Sequence, residues 1–168
     1  YASVYKQNFL KSNSPVKINN YTLGVELEVC FLIKQSIFNF KKMISKNNIK
    51  SFILKVAPCI EVVGYRQKKK GIKTLGDLSS DFGGNVKFLI GKKINLSKIK
   101  TDNLKTSIFN KKINHLVNGN TNTVYVNPLN SLKFVLNKLK KDKYVLNKNF
   151  YVFTGSTIGV APILGKGV

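Results

Sequence analysis

Glu26 and Glu28 stand two residues apart in the run Thr22-Leu23-Gly24-Val25-Glu26-Leu27-Glu28-Val29-Cys30-Phe31-Leu32-Ile33, where Val25, Leu27, Val29 and Phe31 alternate with Glu26, Glu28 and Cys30. Strict alternation predicts a strand, and its period of two sends both glutamates to one face and the aliphatic residues to the other. Two carboxylates one pleat apart repel unless a cation lies between them. A third, Glu61, follows Pro58 in the β-prone run Cys59-Ile60-Glu61-Val62-Val63, so three oxygen ligands could meet across neighbouring strands. Such a set, without histidine, suits Mg²⁺ or Mn²⁺ better than zinc or copper. Spacing alone favours a plainer reading, in which Glu26 and Glu28 sit on a solvated face among lysines.

Composition sharpens the interest in these acids. The 168 residues hold 29 Lys and Arg against 7 Asp and Glu, for a net charge of +22. Such an excess suggests a polyanion partner. Yet Arg66 is the only arginine, and the lysines are scattered among Asn and Ile instead of forming one stripe. Arginine is the residue that reads phosphates and base edges in bidentate fashion. A basic nucleic-acid-binding protein is therefore the rival reading, and no specific nucleic acid is expected. The acids are the informative residues: five of the seven, Glu26, Glu28, Glu61, Asp77 and Asp81, fall in three short segments.

The elements that must position them follow from patterning. Residues 1–10 suggest an opening strand, and mixed three- and four-residue apolar spacing over 36–56 predicts a helix that Pro58 should end. A Gly- and Lys-rich loop spans 64–76, a strand covers 86–91, and 106–126 reads as a hairpin turning at Asn118-Gly119. Asn127-Pro128 opens a helix with Leu129, Leu132, Val135, Leu136 and Leu139 at helical spacing; residues 144–153 give a last strand, followed by a Gly-punctuated loop. The result is a strand-rich α+β chain with two helices and without regular βα alternation. At 43% hydrophobic residues it can bury a core. No run reaches the roughly 18–20 apolar residues of a membrane span, and the opening residues lack a signal-peptide pattern. The expectation is a cytoplasmic protein with no membrane partner. Cys30 and Cys59 are expected to be reduced, buried thiols, and His115 an ordinary strand residue.

Five motifs occur in order: Gly24-Val25-Glu26-Leu27-Glu28; Val56-Ala57-Pro58-Cys59-Ile60-Glu61-Val62-Val63; Ile72-Lys73 through Asp77 to Asp81; Asn127-Pro128-Leu129; and Thr154-Gly155-Ser156-Thr157-Ile158-Gly159. In order and spacing they resemble the fumarylacetoacetate hydrolase superfamily. The branch they look most like is that of 2-keto-4-pentenoate (2-hydroxypentadienoate) hydratases and 4-oxalocrotonate decarboxylases. The resemblance implies a mixed β-roll with a few flanking helices, its active site at the mouth. It implies Mg²⁺ or Mn²⁺ on Glu26, Glu28 and Glu61, chelated by the carboxylate and 2-oxo oxygens of a small 2-oxo acid. Lys73 would shuttle the proton, Asp81 would orient that loop or its lysine, and Ser156, with Thr154 and Gly155, would bind the substrate carboxylate or position water. The activity implied is hydration of a 2-oxo-enoate in aromatic catabolism by a homo-oligomer; the alternatives within the superfamily are a 4-oxalocrotonate decarboxylase and an acylpyruvate or fumarylacetoacetate-type hydrolase. Residues 1–168 would form one catalytic-type domain lacking the family's N-terminal helical segment and closing strands, a fragment that keeps the metal ligands.

Overall fold

The computed structural model of the chain describes residues 2–65 and 74–163. Its centre is a pair of twelve-residue strands, β2 (Thr22–Ile33) and β3 (Ile53–Gly64), running antiparallel from Thr22↔Gly64 to Ile33↔Ile53; the first strand, β1, is Phe9–Lys11. Their Val, Ile and Phe content fits a pleated surface buried on both faces. After the short helix α1 (Leu75–Ser80), β4 (Asn85–Ile90) pairs with β3 on one side and, in parallel, with β1 on the other. The hairpin β5 (Lys105–Asn110) and β6 (His115–Asn120) forms a separate ribbon. Helix α2 (Pro128–Lys141) follows, and then β7 (Phe150–Ser156) and β8 (Ala161–Pro162) lie in succession along the free edge of β2. The main sheet has the order β1-β4-β3-β2-β7.

This sheet is curled. Four strand separations of about 4.8 Å would hold the β1 and β7 edges roughly 19 Å apart if it were flat. Instead the Phe9 ring of β1 lies 5.7 Å from Phe153 and 5.9 Å from Tyr151, both on β7. The concave face inside the curl carries Cys30, Ala57, Cys59 and Phe88, with Phe9, Ile90, Tyr151 and Phe153 around them. The convex face carries Val29, Phe31, Ile33, Val56 and Val152, which pack on Leu132 and Leu136 of α2. Burying each of these leucines contributes about 1.5–3 kcal/mol. The expected strand-rich α+β roll is therefore present, and Glu26 and Glu28 share one face of β2 as alternation required. Among the described residues, no helix is long and apolar enough to cross a membrane.

Several local expectations fail for identifiable reasons. No helix spans residues 36–56; short 3₁₀ turns at Gln35–Asn39 and Ile49–Phe52 lead directly into β3. Ile37 and Ile44 stand seven apart as on a helix, but Ile49 lies five further on, off that stripe, and Ile53 and Val56 already belong to β3. The backbone is held instead by side chains, with Asn137 of α2 accepting from Ile44 N–H and Asn48 from Ser45 N–H. Pro58 does not end a helix but lies within β3, where its carbonyl accepts from Gly91 N–H just past the end of β4. Its N–H side thus faces no ladder partner, which is why proline is tolerated there.

The hairpin turns at residues 111–114, with Asn114 at φ 50°, and Asn118 and Gly119 lie inside β6. Gly119 is needed for a close approach, since a Cβ there would stand 2.1 Å from the Thr157 carbonyl oxygen. The last long strand begins at Phe150 instead of Tyr144 and extends to Ser156. The opening residues form a 3₁₀ turn, Lys6–Asn8, before the short β1.

Candidate metal centre

The β2–β3 register places Glu26 directly opposite Glu61, and Glu28 one pleat further along, opposite Cys59. All three side chains therefore point into the concave face. Their carboxylate oxygens lie within 4.8 Å of one another, and Glu28 and Glu61 are each only 5% exposed while Glu26 is half-buried. Burial first, and the charge of Glu28 second, raise the Glu26 carboxyl above its ordinary value of 4.5. Desolvated carboxylates this close are unfavourable unless a positive charge joins them.

Glu28 is further fixed by the neighbouring strand. Gly155 of β7 donates its N–H to Glu28 Oε2 at 2.9 Å, from a backbone with φ +110° that glycine adopts without strain. The transition from β7 to β8 passes this point, where Thr157 N–H and Oγ1 both donate to the Leu27 carbonyl oxygen at 2.8 Å. Thr106 in turn donates to Thr157 Oγ1 at 2.9 Å, tying the β5–β6 ribbon to the same spot.

The donor set fits a hard divalent cation, because every converging atom is a carboxylate oxygen. The nearby thiols do not compete. Cys30 and Cys59 are each 1% exposed, and the Cys59 thiol is pushed up by its hydrogen bond with Cys30, by burial and by the Glu28 and Glu61 charges. Neither sulfur belongs to the converging set, which is made of Glu26, Glu28 and Glu61.

The other sequence-derived residues fall in different places. Ser156 pairs with Glu28 in the β2–β7 register, and its Oγ donates to the Gly159 carbonyl oxygen at 3.1 Å. Thr154 is buried and its Oγ1 donates to the Val29 carbonyl oxygen at 2.8 Å, so that hydroxyl proton ties β7 to β2. Asp81 is buried at the C-terminal end of α1 and is not part of the carboxylate cluster. Asp77 forms a capping box with Thr74 at the start of that helix. Lys73 lies outside the described residues. His115 is an exposed strand residue, as expected.

Sequence reasoning did not foresee the aromatic wall beside the carboxylates. A groove of about 1320 Å³ has Glu28, Glu61, Phe88 and Phe153 of the concave face among its lining residues and extends to Val135 and Leu139 of α2. Phe88 and Phe153 pack at 4.2 Å between ring centres on this face, and Lys93 stands 5.4 Å over Tyr151 in the same groove. The signal was available: Phe88, Ile90, Tyr151 and Phe153 hold alternating positions in two strands.

No protein-family model and no curated protein matches the chain. Solved structures do. The structure of 4-oxalocrotonate decarboxylase from Pseudomonas putida G7 complexed with magnesium and adipate matches with a TM-score of 0.66 and 16% identity, over 84% of this chain and 53% of that one. The same enzyme complexed with calcium and acetate matches with a TM-score of 0.63, again at 16% identity, over 84% of this chain and 52% of that one. The chain thus spans about half the length of the structures it matches. Likeness at this identity concerns the fold: over the matched part, this chain has the fold of 4-oxalocrotonate decarboxylase.

Proposed function

We propose that the chain belongs to the fumarylacetoacetate hydrolase superfamily and acts as a divalent-metal-dependent lyase on a 2-oxo-enoate, in the manner of a 2-keto-4-pentenoate hydratase. The observation that carries this reading is the convergence of three carboxylates within 4.8 Å on a concave, largely apolar face. Glu26, Glu28 and Glu61 would hold Mg²⁺ or Mn²⁺. When bound, that cation supplies a Lewis acid for the 2-oxo and carboxylate oxygens of the substrate.

The protein's own residues supply the rest. Gly155 N–H fixes the Glu28 carboxylate, so the ligand set is oriented before substrate arrives. The Phe88 and Phe153 wall excludes water from one side of the substrate carbons, leaving addition to the open side of the groove. Lys73 moves the proton at the substrate carbon, Asp81 orients the loop of Lys73 or that lysine, and Ser156 receives the substrate carboxylate or the water. Two buried free thiols suit a reducing cytoplasm.

The comparison favours a second reading, decarboxylation of 4-oxalocrotonate, because the matching structures are of that decarboxylase. The experiment follows loss of dienol absorbance with Mn²⁺ present, identifies the product, and measures carbon dioxide. Hydration gives the 4-hydroxy-2-oxo acid without gas, and decarboxylation releases carbon dioxide. Lys73→Ala should lower kcat by roughly 10²–10⁴-fold, the usual loss of a proton-transfer residue. Turnover that is unaffected by chelators and by Glu28→Gln would overturn both readings.

A further inference from the structure

Away from the carboxylates, α2 presents an outer face that the proposed chemistry does not use. Leu132, Leu136 and Leu139 face the core, and the opposite side carries the exposed Phe134, Lys138 and Lys141. Against this side lies the segment Lys41-Lys42-Met43, and together they border a shallow hollow of about 540 Å³. Met43, the only methionine of the chain, is 76% exposed, and Phe134 is 55% exposed. Tyr125, 65% exposed, meets Phe134 edge-to-face at 6.4 Å and extends the apolar line.

The segment is braced in place. Asn137 of α2 closes a pair of hydrogen bonds with Ile44, accepting from its N–H and donating to its carbonyl oxygen, each at 2.9 Å. Lys140 Nζ donates to the backbone oxygens of Phe40 and Lys42 and sits 5.3 Å over the Phe40 ring. The backbone that carries Lys41, Lys42 and Met43 is thus held against α2, so it needs little ordering on binding.

We propose that this face docks on an anionic lipid bilayer. Lys41, Lys42, Lys138 and Lys141 flank the apolar tips, and the acid beside them is Asp142, paired with Lys138 at 2.7 Å. Exposed apolar side chains ringed by lysine are the composition that seats a protein at a headgroup boundary. A second copy of the chain is disfavoured, because it would bring like charges together. Nucleic acid would use the lysines and leave Met43, Phe134 and Tyr125 without a role, and among the described residues the face carries no arginine to read phosphates in bidentate fashion.

The test is co-sedimentation of the whole chain with vesicles of phosphatidylcholine alone and of phosphatidylcholine mixed with phosphatidylserine, at physiological salt. Binding should appear only with phosphatidylserine. Lys41→Gln/Lys42→Gln should weaken it roughly thirtyfold, the usual effect of two lysines at an anionic surface. Met43→Ser/Phe134→Ser should weaken it about tenfold without any change of charge. Lys111→Gln/Lys112→Gln, on the β5–β6 turn and outside the hollow, serves as the charge-matched control and should retain binding. Circular dichroism checks that each variant is folded. Equal losses in the two lysine pairs, or no loss in the Met43/Phe134 variant, would reduce the effect to bulk charge and overturn the proposal. So would absence of vesicle binding, or binding of single-stranded RNA that falls with the patch variants while vesicle binding does not.

Discussion

Replacing Glu26 with glutamine should stabilise the metal-free protein while removing its response to metal. Without a cation, three carboxylates share a volume in which their oxygens lie within 4.8 Å of one another, and two of them are buried. At an effective dielectric near 20, two unit charges about 4–5 Å apart repel by about 3–4 kcal/mol. Partial exposure of Glu26 and its raised proton affinity discount this, leaving an expected gain of about 1–2 kcal/mol at neutral pH for Glu26→Gln. The folded-state carboxyl is raised above 4.5, so across the interval from 4.5 to that raised value the folded chain binds more protons than the unfolded one. Stability therefore falls as pH rises through the interval, and the penalty is fully present above it. Urea unfolding in the presence of a chelator, run at several pH values, measures this directly. The variant's advantage should shrink as pH falls toward 4.5, and added Mn²⁺ should stabilise wild type alone. A variant less stable than wild type at neutral pH, or one that gains as much from Mn²⁺, would refute the electrostatic reasoning.

Other consequences are quickly checked. Gly155→Ala places a side chain at φ +110°, where nothing crowds it but the backbone itself is strained; a loss of about 1–3 kcal/mol in unfolding free energy is expected, with weaker Mn²⁺ binding because the N–H to Glu28 shifts. Gly119→Ala drives a Cβ to 2.1 Å from the Thr157 carbonyl, so thermal melting should show at least about 2 kcal/mol of destabilisation as the ribbon separates from the β7–β8 turn. Both thiols should resist an aromatic disulfide reagent at pH 8 in the native protein and react together in denaturant, since each is 1% exposed and the Cys59 thiol is held protonated.

What was legible in the sequence, and what was not, divides along physical lines. The Glu26 and Glu28 face could be read because alternation in a strand is a local property. That Glu61 would stand opposite Glu26 could not, since cross-strand register depends on the whole pairing of β2 with β3. Pro58 misled for a similar reason: it marks the end of a helix locally, yet β3 tolerates it because β4 stops at Ile90. Asn118-Gly119 has the composition of a tight turn, and only the passing Thr157 carbonyl explains why the glycine is in a strand. Residues 36–56 look helical when apolar positions are counted, but Asn137, almost a hundred residues away in sequence, holds that backbone in turns. The capping of α1 by Asp77 likewise shows only once that helix is formed.

Isothermal titration of the metal-free protein with Mn²⁺ tests the central claim most directly, with Glu61→Gln as the comparison. Glu61 is the ligand contributed by the second strand, so it tests the convergence itself. Wild type should bind one ion per chain, and Glu61→Gln should bind at least about a hundredfold more weakly. Equal affinity in the two proteins, or no binding by wild type, would contradict the account.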